Sequence, residues 1–140
     1  MSERPVGVAR ETMPVFAKLF VHDLEAMANF YEQVFGIVRF FRHQAVMLGR
    51  EIDEIGFQAP YPGGLELTLI KYLDSTGPQT GESVIGFTTT DIEGVIARAR
   101  AAGGSVPEPS FRIDEFGIEV VFILDPEGHV AEVVQLDAAP

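Results

Sequence analysis

The run VFAKLFVHDLEAMANFYEQVFG (15–36) lies over SVIGFTTTDIEGVIARARAAGG (83–104) without a gap. The offset is 68, so Asp23 falls on Asp91, Leu24 on Ile92, Met27 on Val95 and Gly36 on Gly104. Each copy opens on a β-prone apolar run, Phe16–Val21 and Val84–Thr88. The period then changes to that of a helix, with Leu24, Met27, Ala28 and Tyr31 matched by Ile92, Val95, Ile96 and Ala99. Asp23 and Asp91 suit the positive end of a helix. Thr90 with Glu93 fits a capping box, and Gly36 and Gly104 suit the left-handed conformation that ends helices.

The repeat continues more loosely. Tyr61-Pro62-Gly63-Gly64 precedes LELTLIKYL, and Asp125-Pro126-Glu127-Gly128 precedes HVAEVVQL; both are turns feeding strands. Each strand carries one glutamate near its start, Glu66 and Glu132. Two further strands are expected in each copy: 38–44 and 54–60, then 105–111 and 118–124. The expected fold is α+β. An N-terminal lead (1–13) precedes two tandem βαβββ modules, 14–73 and 82–137, whose open curved sheets form a cleft. The lead is read either as a loose segment or as an arm that pairs with another subunit. The segment LDSTGPQTGES (73–83) is the connector.

The bulk properties narrow the partners. One domain of 140 residues buries enough surface to need no staples. The net charge of −11 disfavours nucleic acid and anionic membrane. The absence of cysteine excludes disulfides, thiolate nucleophiles and cysteine-based zinc sites. With no signal-like or membrane-length apolar stretch, a cytoplasmic protein is expected. There is no Gly-rich phosphate loop and no Ser–His–Asp signature.

FVHDLEAMANFYEQVFGI and DPEGHVAEV resemble the module signatures of the vicinal oxygen chelate superfamily, which includes glyoxalase I, extradiol dioxygenases, methylmalonyl-CoA epimerase and the bleomycin- and fosfomycin-resistance proteins. The resemblance implies a glyoxalase-like fold, a small-molecule ligand and a homodimer. It also implies a metal site with one ligand from the first and one from the last strand of each module. Those positions here are Phe16, Glu66, Val84 and Glu132. The family usually has His at the first-strand positions, and both are apolar here. No arginine stands in the first strand, which disfavours glutathione chemistry by the same resemblance.

Two glutamates alone make neither a catalytic zinc set nor a two-His–one-carboxylate iron set. No cofactor is therefore expected. The alternative is a divalent-metal lyase or isomerase of the glyoxalase or epimerase type, using Glu66 and Glu132 with water, substrate or His43. Of the histidines, His129 reads as a surface residue at a turn exit, His22 as a turn or capping residue, and His43 as a solvated strand end. Pattern alone reads the two glutamates as solvent-facing residues of amphipathic strands. Their repetition and their family positions read them as an acid/base pair. The substrate-binding face would carry Phe16, Lys18, Phe20 and Thr68, with Val84 and Thr88 from the second copy. Two aromatic rings around one lysine suit an amphipathic ligand with an acidic group. The competing reading places Phe16 and Phe20 in the core and pairs Lys18 with a glutamate. Residues 106–117 are read as either a lid or an ordered loop.

Overall fold

The computed structural model describes residue 12 and residues 14–137; the expected N-terminal lead lies, but for Thr12, outside the described residues. The first module runs β1 (Phe16–Phe20), α1 (Leu24–Phe35), β2 (Val38–Met47), β3 (Arg50–Gln58) and β4 (Glu66–Tyr72). The second runs β5 (Val84–Thr88), α2 (Ile92–Ala101), β6 (Phe111–Ile113), β7 (Ile118–Leu124) and β8 (Val130–Leu136), with a short 3₁₀ turn at Asp114–Phe116. Each module is a four-stranded mixed sheet, ordered β1-β4-β3-β2 and β5-β8-β7-β6. The first strand pairs in parallel with the last, and the other pairs are antiparallel.

The helices form where the apolar stripes predict, and both stripes are buried. Asp23 and Asp91 are the N-caps; their carboxylates accept from the amides of Ala26 and Gly94, each at 3.0 Å. Such a cap contributes about 1 kcal/mol. The N-cap is Asp91 rather than Thr90, so the expected capping box does not form: the third helical position falls on Gly94, which has no side chain to reach back to the cap amide. Gly36 ends α1 at φ +68° as expected. At α2 the left-handed residue is Gly103 (φ +93°), not Gly104. The amide of Gly104 instead returns to the Ala99 carbonyl at 2.9 Å, closing a Schellman motif. Gly104 is needed for a different reason: a Cβ there would run into the Phe30 ring and the Leu124 carbonyl.

Three of the four inner strands appear near their expected places. The exception is 105–111, where only Ser105 bridges to Leu124 and β6 begins at Phe111. Pro107 and Pro109 cannot donate to a ladder, which explains the late start.

The modules meet through their helix-covered sides. One hydrophobic cluster takes Leu19, Val21, Ile55 and Leu69 from the first sheet, both helices, and Val121, Ile123 and Val133 from the second. Phe35 of α1 stacks on Phe87 of β5 at 3.7 Å between centroids and 5° between planes. The turn at 125–129 clips onto the start of α1: Glu127 accepts from the amides of His22 and Asp23 at 2.8 and 2.6 Å. Beside it, Asp125 accepts from the Tyr31 hydroxyl at 2.8 Å, from the amides of Glu127 and His129, and from His129 Nδ1.

This turn corrects the reading of His129, which is 4% exposed rather than on the surface. Its ring is held inward by the Asp125 carboxylate, and that hydrogen bond raises the His129 pKa against burial. Burial pushes the Asp125 carboxyl up, but hydrogen bonds from His129 and Tyr31 leave it below its ordinary value. Burial and Asp125 together push the Tyr31 phenol well above its usual range, so it remains a donor.

Candidate functional site between the modules

The first strand of each module is an edge strand, because it pairs only with the last strand. Two cavities lie along these free edges. The larger, about 730 Å³, runs from the C-terminal end of α1 and the β3–β4 turn to β5. All five residues of β5 line it, Val84 through Thr88. Side chains of a strand alternate between faces, so five consecutive lining residues mean that β5 presents its edge. Among the described residues, the backbone groups on that edge have no strand partner. The opposite wall is apolar, with Phe35, Ile37, Phe57 and Leu67. Among the described residues, Glu66 is the one carboxylate on the wall, and no Lys, Arg or His lines it.

The smaller cavity, about 570 Å³, lies at Lys18–Phe20 of β1, against the connector and His129. Lys18 Nζ there reaches across β4 to Glu54 Oε2 at 2.7 Å. Glu54 is buried at 5% exposure, on the same sheet face as Thr68 and Gly56. Tyr72 stacks with Phe20 at 4.8 Å, and the Arg50 guanidinium lies 3.5 Å from the Tyr72 ring centre.

The residues expected to share one site are thus divided. Glu66, Val84 and Thr88 line the larger cavity, Lys18 and Phe20 the smaller, and Phe16, Thr68 and Glu132 neither. Lys18 pairs with a glutamate, as its competing reading held, but Phe16 and Phe20 are not core; they are 58% and 36% exposed. His43 is solvated as expected but stands in the middle of β2 rather than at a strand end, and His22 bonds Ser75 Oγ through Nδ1 at 2.8 Å. Residues 106–117 form β6 and the 3₁₀ turn, and line neither cavity.

The pairing register also revises the match between the glutamates. Val21 donates to the Ile70 carbonyl, and Thr89 donates to that of Val134, both at 2.9 Å. Val21 and Thr89 are counterparts at offset 68, so Ile70 and Val134 are counterparts at offset 64. Glu66 then corresponds to Val130, and Thr68 to Glu132. The register agrees: Glu66 lies across from Phe16, but Glu132 across from Gly86 rather than Val84. The glutamates stand two residues out of symmetry because the inner hairpins of the copies differ in length.

A metal of the kind the family often carries does not fit this donor set. Phe16 and Val84 offer no ligand atom, the glutamates occupy unmatched rungs, and no three of His, Asp and Glu converge among the described residues.

Residues 13–133 match the model of the Glyoxalase/Bleomycin resistance protein/Dioxygenase superfamily. The chain belongs to that superfamily. Its two βαβββ modules are the glyoxalase-like fold. A glyoxalase family protein from Bacillus cereus superposes with TM-score 0.74 over 96% of this chain and all of that one, at 16% identity. A glyoxylase/bleomycin resistance protein/dioxygenase domain from Frankia sp. EAN1pec gives 0.70 over 96% and 100%, at 18% identity. A lactoylglutathione lyase of Arabidopsis thaliana is 26% identical over 128 residues, covering 86% of this chain. The chain spans only 43% of the length of that curated relative. Within this superfamily member, no helix among the described residues is long and apolar enough to cross a membrane.

Sequence reasoning missed Glu54, Arg50 and Tyr72. Glu54 carried a weak signal: it and Asp53 lie together between Ile52 and Ile55, and alternation puts the two acids on opposite faces of a strand, so one of them points inward and requires a partner.

Proposed function

We infer that this superfamily member binds a small, partly apolar organic molecule in the larger cavity between its modules. The observation that carries this reading is the wall itself: about 730 Å³, apolar from both modules, with one carboxylate and a free strand edge. That volume suits a small ligand, and a few placed polar groups would orient it. The ligand is mostly apolar and presents an N–H or O–H to Glu66, with the edge of β5 offering further donors and acceptors. Acid/base chemistry would rest on Glu66, since Glu132 lies elsewhere on the pairing ladder. The metal-dependent lyase or isomerase reading has less support, because the chain does not bring its two glutamates together with further donors.

Thermal unfolding with phenethyl alcohol, N-benzylacetamide and methyl phenethyl ether tests the reading. The two donors are expected to raise the melting temperature by mass action and the ether to do so far less, because it offers Glu66 no hydrogen. Glu66→Gln should narrow that difference. No shift with any of them, together with stoichiometric Ni²⁺ or Zn²⁺ binding that needs Glu66 and Glu132, would replace this reading with the metal-dependent one.

The assembly that accompanies this reading is a homodimer. Phe16, Val38 and Val84 are each more than half exposed, and apolar residues of this size favour burial against another surface. Sedimentation equilibrium should return twice the 15.3 kDa chain mass; a monomer at tens of micromolar would contradict it.

A further inference from the structure

We propose that the smaller cavity is a second ligand site, built for a planar organic anion such as an aromatic carboxylate. It stands apart from the proposed function and does not rest on it. Its charge sets it apart. The whole chain carries 21 acidic residues against 10 Lys and Arg. Yet among the described residues three bases, Lys18, Arg50 and His129, line this cavity, against Asp74 alone among the acids. The larger cavity has the opposite balance, with Glu66 and no base among the described residues.

The cations differ in availability. Lys18 is committed to the buried Glu54. Arg50 pairs with Asp74 at 2.6 Å, but that carboxylate is 67% exposed. An exposed pair of this kind adds little to stability, so a ligand carboxylate takes Asp74's place on the guanidinium at little cost. Arg is suited to this exchange, because its planar fork bonds a carboxylate through two parallel N–H groups.

The planar part of the ligand has its own wall. Phe20 and Tyr72 stack at 19° between planes, and Arg50 lies against Tyr72. A flat ring along this wall adds a further stacked layer beside the cation. On the far side, the connector brings Ser75, Gln79 and Ser83. His129 completes that side. Its Nδ1 is held by Asp125, which fixes the ring against the cavity wall.

Calorimetric titration of the full chain at pH 6.5 with sodium benzoate, benzylamine and sodium acetate tests this. Benzoate is expected to bind 1:1, at least tenfold tighter than benzylamine or acetate. Arg50→Gln should weaken benzoate at least tenfold, and Tyr72→Leu should weaken benzoate while leaving acetate unchanged. Glu66→Gln, in the other cavity, should leave benzoate unchanged. The proposal is overturned if benzoate does not bind, if it binds Arg50→Gln as well as wild type, or if acetate or benzylamine binds equally well. Loss of benzoate on Glu66→Gln would also overturn it, by moving the binding to the larger cavity.

Discussion

Asp125→Ala is expected to lower stability by about 4 kcal/mol, and the melting temperature by about 15 °C for a chain of this length. The carboxylate serves the Tyr31 hydroxyl, His129 Nδ1 and the amides of Glu127 and His129. Tyr31 is fully buried and His129 nearly so, so water cannot replace the lost acceptor without opening the module interface. Tyr31→Phe removes one donor only and should cost about 1 kcal/mol. The pair also imposes a pH window. The Asp125 carboxyl titrates below its ordinary 3.8, so its contribution is present above that value and is lost as pH falls through the depressed one. The His129 imidazole titrates above its ordinary 6.5, so its contribution is full below 6.5 and is lost as pH rises through the raised value. Between 3.8 and 6.5 both contribute. Chemical denaturation across pH should show the gap between wild type and His129→Gln largest there and shrinking on the alkaline side. A gap independent of pH would mean that the ring only fills space.

Lys18→Met is expected to cost about 2–3 kcal/mol, well above the value of an exposed ion pair. The reason is the partner left behind. Lys18 is 30% exposed through its side chain but Glu54 only 7%, so removing the ammonium strands a carboxylate under Phe41, Thr68 and Ile70. Replacing both residues by apolar ones of similar size should recover most of the loss, because a desolvated pair and a packed apolar pair are close in free energy. Urea denaturation of Lys18→Met and of Lys18→Met with Glu54→Leu measures this. If the single variant loses less than about 1 kcal/mol, the upper bound for an exposed pair, Glu54 is solvated and the account of that face is wrong.

The fold was legible because two stripes of period 3.6, Leu24–Tyr31 and Ile92–Ala99, sit between β-prone runs at one constant offset. That pattern depends on local burial, which sequence periodicity reports directly. The site was less legible. Glu66 and Glu132 looked like counterparts at offset 66, but pairing is fixed by hairpin lengths that no short motif reveals, and the true offset of the last strands is 64. Phe16, Lys18 and Phe20 share a face, as alternation required. Alternation cannot tell that β1 and β5 present free edges, and those edges divide the expected site into two cavities. His129 was misread for a similar reason: a polar residue at a turn exit is ordinarily solvated, and only the inward carboxylate of Asp125 reverses that.

The measurement closest to the central claim is a ¹⁵N–¹H correlation titration of the full chain with N-benzylacetamide. The amides of Val84–Thr88 and Leu65–Leu67 should shift together and saturably, while those around Arg50 and Tyr72 stay in place. Shifts confined to other residues, or amides at 65–67 and 131–133 that respond to one equivalent of Ni²⁺ and not to the organic probe, would contradict a ligand cavity between the modules.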